Sequence, residues 1–322
     1  MGGHDSTDSL SAFDVAALFE NPKADVILRS SDSVDYRCYK VLLALASTVF
    51  EGMFELPQPP QGEGDDVVEG GLHVVLLHED SQILEPLLRM CHPSSLNNPP
   101  FLELDSIKSI VEASRKYEMD EVEKYVRKEL ISTRFLETEP MRVYAIACLL
   151  KAPDEMRVAS TATLAFDRDE LGYAPELALV SGADYYHLLE YHKACGNAAR
   201  DAACRFSWLR RYRTRDQFAW DADCDDSCQC AQVDIPGYGT GAKWWMLSYI
   251  DPCKEALARK PVGKTVKGDK VMDAALKGAS SCPQCASRCL PDLREFSAEF
   301  ADEVDKVVAK VCLDSRDKKL HP

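Results

Sequence analysis

The side chains in this sequence best suited to chemistry are cysteines, and they cluster: Cys224, Cys228 and Cys230 in one group, Cys282, Cys285 and Cys289 in another. The spacing is Cys-x3-Cys-x-Cys, then Cys-Pro-x-Cys-x3-Cys. A tetrahedral zinc ion takes four soft ligands at about 2.3 Å, and closely spaced pairs deliver two sulfurs each at small loop-closure cost. Cys228, Cys230, Cys282 and Cys285 meet that description best, with Cys224 and Cys289 as substitutes. The only role this spacing supports is structural: a zinc staple across the C-terminal region. The other reading is a set of thiols in a helical domain. A redox role for the Cys282–Cys285 pair needs a thioredoxin-like βαβ pattern around it, and none is present.

Other patterns carry less. Six arginines (Arg200, Arg205, Arg210, Arg211, Arg213 and Arg215) are interleaved with Phe206, Trp208 and Tyr212. Such a stretch can grip phosphates and stack on bases. In an acidic chain, the reading adopted is a helix with aromatics facing the core and arginines neutralising acidic neighbours, so nucleic acid is an unlikely partner. Gly263-Lys264-Thr265 imitates the end of a phosphate-binding loop, but Ala258 occupies the position of the first glycine and no strand precedes it. His4, His73, His78, His92, His187, His192 and His321 form no metal or nucleophile motif. Gly2 with Ser6 meets the minimal spacing for N-myristoylation, yet the first twenty residues hold no lysine or arginine to strengthen a single acyl anchor. No catalytic constellation emerges, and the chain is read as a non-enzyme.

The whole-chain numbers agree. The 322 residues carry 53 acidic and 38 basic side chains, a net charge of −15, with 46% hydrophobic and 28% charged residues. These values describe a globular chain of about two domains. No apolar run is long enough to span a bilayer and no signal-peptide layout opens the chain, so a cytoplasmic or nuclear protein is expected. The 13 cysteines are an odd number, and ten of them follow residue 190.

The elements that position these residues are legible from periodicity. Leu10, Phe13, Ala17 and Leu18 predict a short amphipathic helix. Asp25–Arg29 and the alternating Val34, Tyr36 and Cys38 predict a β-hairpin. Two short helices follow, the second capped by Ser47 and running through Phe50, Met53 and Phe54. Residues 57–71 read as a surface loop, Leu72, Val74 and Leu76 as a strand, and Ile83 to Leu88 as a helix capped near Ser81. Ile107 to Tyr117 and Val122 to Leu130 give two further helices. Beyond Pro140 the segments Met141–Leu150, Met156–Phe166 and Pro175–Cys195 are helix-like and no strand is expected. The stripe Phe296, Phe300, Val304 and Val311 predicts a final amphipathic helix.

Residues 24–28 (Ala-Asp-Val-Ile-Leu), Tyr36 with Lys40, the run Leu43 to Phe50 and the pair Met53-Phe54 resemble the opening of a BTB (POZ) domain. Leu87-Leu88-Arg89-Met90-Cys91-His92-Pro93 and Lys116-Tyr117-Glu118-Met119 are similar to later segments of that family. The resemblance covers about residues 20 to 131. Leu56-Pro57-Gln58-Pro59 and Glu139 to Ala147 look most like BTB proteins expanded in filamentous and mushroom-forming fungi. Tyr39 stands where the family usually has histidine beside the lysine, so its Asp–His pairing is lost while Asp25 and Lys40 remain.

The expectation is an α+β, BTB/POZ-like domain followed by a mostly α-helical region. Its divisions are an N-terminal segment 1–22, the domain at 23–131, a helical region 132–215 and a cysteine-containing helical region 216–322. The resemblance implies protein partners: an adaptor or scaffold, commonly a homodimer, in some members a substrate adaptor for a cullin-type ubiquitin ligase. Leu10, Phe13, Leu18, Asp25 and Lys40 are the candidate interaction residues. The chain-initial helix has little of its own to pack on, so a second copy is the expected cover, folding back on its own domain being the alternative. The alternative function is a zinc-stapled nuclear regulator contacting nucleic acid through residues 200–215.

Overall fold

The computed structural model describes residues 18–56, 68–93, 100–211, 230–235 and 239–313. The chain divides into two compact units, one of residues 1–135 with 149–155 and the other of 136–148 with 156–322.

In the first unit, strand β1 (Val26–Arg29) pairs antiparallel with β2 (Asp35–Cys38), Val26 opposite Cys38. Val26, Ile27 and Leu28 are all buried, the unbroken apolar run of a strand covered on both faces. Helices α1 (Lys40–Ala46) and α2 (Thr48–Glu55) follow, separated by Ser47, whose hydroxyl accepts the Phe50 N–H at 3.0 Å and caps α2. Strand β3 (Val68–Glu69) then pairs with β4 (Leu72–Leu76), and β4 runs parallel to β1, giving the sheet order β2-β1-β4-β3. Helices α3 (Ser81–Cys91), α4 (Leu104–Lys116) and α5 (Asp120–Leu130) complete the unit. Asp80, one residue before Ser81, caps α3 by accepting the Ile83 N–H at 3.1 Å. At the centre Phe50 stacks on Tyr117, ring centroids 5.0 Å apart.

Helices α6 (Thr133–Thr138), α7 (Pro140–Leu149) and α8 (Pro153–Thr163) follow. Between α7 and α8 the chain returns to the first unit: Arg115 donates to the Leu150 carbonyl at 3.0 Å, and Arg127 grips Glu155 with two hydrogen bonds of 2.9 and 2.7 Å.

The second unit holds α9 (Gly182–Cys204), a hairpin of β5 (Gln232–Ile235) and β6 (Gly239–Lys243), then α10 (Leu247–Arg259), α11 (Asp269–Ser280) and α12 (Pro283–Val308). Its core is aromatic. Phe206, Trp208, Tyr249, Phe296 and Phe300 are buried together, with Trp208 stacked on Phe300 at 5.8 Å. At Gly196 a Cβ would lie 2.9 Å from the Ala258 carbonyl oxygen, so glycine is what lets α9 and α10 approach so closely.

Three expectations need correction. Val68 and Glu69, read as part of a 57–71 loop, form β3, because Gly70 and Gly71 both take positive φ (60° and 83°) and make a tight turn into β4. Pro175–Cys195 is not one helix: Pro175–Leu179 is a 3-10 turn, and Ser181 starts α9 afresh by accepting the Asp184 N–H at 3.1 Å. A β-hairpin stands beyond Pro140, where no strand was expected; it is short and glycine-rich, so its alternation is weak, and its ends close through Trp244 N–H on the Ala231 carbonyl at 2.9 Å. The predicted helix around Leu10 and Phe13 lies outside the described residues.

Candidate functional site

Among the residues expected to mediate interaction, Asp25 and Lys40 are brought together by backbone. Asp25 Oδ1 accepts the Lys40 N–H at 2.7 Å, supplying the first turn of α1 with the cap that Tyr39 does not provide. Lys40 Nζ rests over the Phe54 ring, 5.4 Å from its centroid. Leu18 is half-buried and lines an apolar depression with Phe19, Tyr39, Leu42, Leu43 and Leu88. Leu10 and Phe13 lie outside the described residues.

Two residues not singled out from sequence stand beside them. Val41 and Leu45, one helical turn apart on α1, are 61% and 82% exposed, while Leu43 on the opposite side is buried. The signal was present. Val41 to Ala46 is apolar throughout, more than a helix with one buried face requires, so one face had to stay uncovered within the unit.

The second candidate is the cysteine group. Cys230 directly precedes the β5–β6 hairpin, Cys282 is the residue before α12, and Cys285 lies in its first turn. The Cys230, Cys282 and Cys285 sulfurs all lie within 4.8 Å of one another, and the Cys230 and Cys285 sulfurs are 3.7 Å apart. Cys282 and Cys285 are buried; Cys230 is half-buried. Burial pushes the Cys285 thiol well above its usual range. Cys289, the proposed substitute, is buried one turn further along α12 and is not in this group; its thiol is pushed up to about 12 by desolvation, with Asp292 adding to the shift. The Cys-Pro-x-Cys pair is thus presented by a helix start. Cys224 and Cys228 lie outside the described residues.

The remaining motifs resolve structurally. Phe206 and Trp208 of the arginine-rich stretch are buried in the second core and present no face to a base, while Arg200 and Arg205 are exposed. Gly263 donates its N–H to Asp305 Oδ1 at 2.6 Å, so a carboxylate occupies the place a phosphate would take. His192 is buried against Thr163 Oγ1 at 2.7 Å, and burial lowers its pKa to about 4. Among the described residues, no helix is long and apolar enough to cross a membrane.

Residues 16–134 match the family model of the BTB/POZ domain, a span that contains the four-stranded sheet, α1 to α5 and the exposed row on α1. No curated protein matches the chain.

Proposed function

The N-terminal part of this chain is a BTB/POZ domain, a protein-interaction module, and from that premise we propose that the protein is an intracellular adaptor or scaffold, of cytoplasm or nucleus, that binds partners and catalyses no reaction. In this reading the BTB/POZ domain joins two copies of the chain and the helical unit recruits a target. A cullin-type ubiquitin-ligase scaffold is the further partner class. The Glu139 to Ala147 phrase supports a place among the expanded fungal members.

The observation that carries self-association is the exposed pair Val41 and Leu45 on α1, flanked by the apolar depression at Leu18 and Leu42. Covering a valine and a leucine exposed to this degree is worth roughly 1–2 kcal/mol each, and a two-fold interface counts each residue twice. Light scattering on the full chain tests this. The expected result is a dimer that becomes a monomer in the Val41→Glu/Leu45→Glu variant with an unchanged circular-dichroism spectrum. A monomeric wild type overturns it. Saturable binding of a purified cullin N-terminal region to the full chain is expected if the ligase reading holds; absence of binding removes that partner class.

A further inference from the structure

We propose that Cys230, Cys282 and Cys285 hold one zinc ion as thiolates, tying the start of the β5–β6 hairpin to the start of α12. Four sulfurs at about 2.3 Å from a tetrahedral ion are about 3.8 Å from each other. The Cys230–Cys285 separation of 3.7 Å is that edge length, and the third sulfur is within 4.8 Å of both. A disulfide would need sulfurs about 2.05 Å apart. The scaffold already has the spacing of a metal triad.

The surroundings suit metal-bound thiolates. Cys282 and Cys285 stand at the N-terminal end of a 26-residue helix, whose dipole favours negative charge there. The Cys230 side is fixed by the Trp244–Ala231 backbone bond that closes the hairpin. The balance is simple: three thiols release three protons, three Zn–S bonds form, nothing is oxidised, and the fourth position of the tetrahedron is left for one further donor. Three soft sulfurs select zinc over the hard cations magnesium and calcium.

The test uses the full chain purified under reducing conditions. Elemental analysis is expected to give one zinc per chain. After chelation, titration with cobalt alone is expected to produce the intense visible bands of a tetrahedral site with thiolate charge transfer, displaced by stoichiometric zinc. Cys282→Ser and Cys285→Ser are expected to abolish those bands and Cys289→Ser to keep them. Because a serine variant can misfold, alkylation of the wild type provides a second reading: zinc is expected to protect Cys230, Cys282 and Cys285 relative to the stripped protein and to leave Cys289 unchanged. The proposal is overturned by absence of both zinc and a cobalt spectrum, by a spectrum that survives loss of Cys282, or by protection that does not follow those three sulfurs.

Discussion

Replacing Ser47 by alanine removes two bonds from the centre of the BTB/POZ unit with one atom. The hydroxyl accepts the Phe50 N–H at 3.0 Å, capping α2, and donates to the carbonyl of Tyr117, 70 positions away in sequence. The residue is 2% exposed, so water cannot take over either role. Loss of an N-cap costs about 1 kcal/mol, and a buried carbonyl deprived of its donor about 1–3 kcal/mol. The sum is about 2–4 kcal/mol. With a denaturant slope near 2 kcal/mol per M, the urea midpoint of this unit should fall by about 1–2 M. The assay can be made unit-specific, because Trp208, Trp244 and Trp245 belong to the second unit and residues 1–135 and 149–155 contain no tryptophan. Circular dichroism should record an earlier transition while the tryptophan transition stays in place. Ser47→Thr, which keeps the hydroxyl, should recover most of the loss. A shift below about 0.5 kcal/mol for Ser47→Ala would refute the reasoning, since neither bond would then be stabilising.

Other perturbations act on the second unit. Gly196→Ala places a Cβ 2.9 Å from the Ala258 carbonyl oxygen and should lower the tryptophan-monitored unfolding free energy by about 1–3 kcal/mol, whereas Gly182→Ala, with nothing within 4 Å, should be neutral or slightly stabilising. His192 is held neutral by burial, first, and by the nearby Arg168 charge, with its pKa lowered from 6.5 to about 4. The unfolded chain therefore takes up the proton first on acidification. Stability from this group is complete above about pH 6.5 and falls by on the order of 3 kcal/mol as pH drops to about 4. His192→Gln should flatten the acid side of a midpoint-versus-pH profile over that window. An unaltered slope would mean that the histidine is not the group responsible.

Much of the first unit was legible because its signals are local. Ser47 before an apolar run, the alternation through Tyr36 and Cys38, and the heptad-like spacing of Ile107, Ile110 and Val111 each name an element on its own. What escaped depended on φ or on distance. The Gly70-Gly71 turn looked like loop composition until paired with β4. The β5–β6 hairpin has too little alternation to declare itself, and Val41 and Leu45 were hidden inside a run whose apolar residues point both ways. Of the four favoured zinc ligands, the sequence placed three that converge across 51 intervening residues, but it gave the Cys-Pro-x-Cys pair a knuckle where the fold uses the start of a helix.

The return of residues 149–155 to the first unit has a consequence for anyone cutting this gene into pieces. The family match stops at residue 134, yet Arg115 finds the Leu150 carbonyl and Arg127 finds Glu155 beyond that point. A fragment ending at 134 leaves both guanidinium groups without these partners, and one extended to 155 drags along 136–148, whose neighbours lie in the other unit. No single scissile position separates the two halves cleanly. Exchange of the interaction domain at any one breakpoint between 134 and 156 would therefore disturb residues of both units.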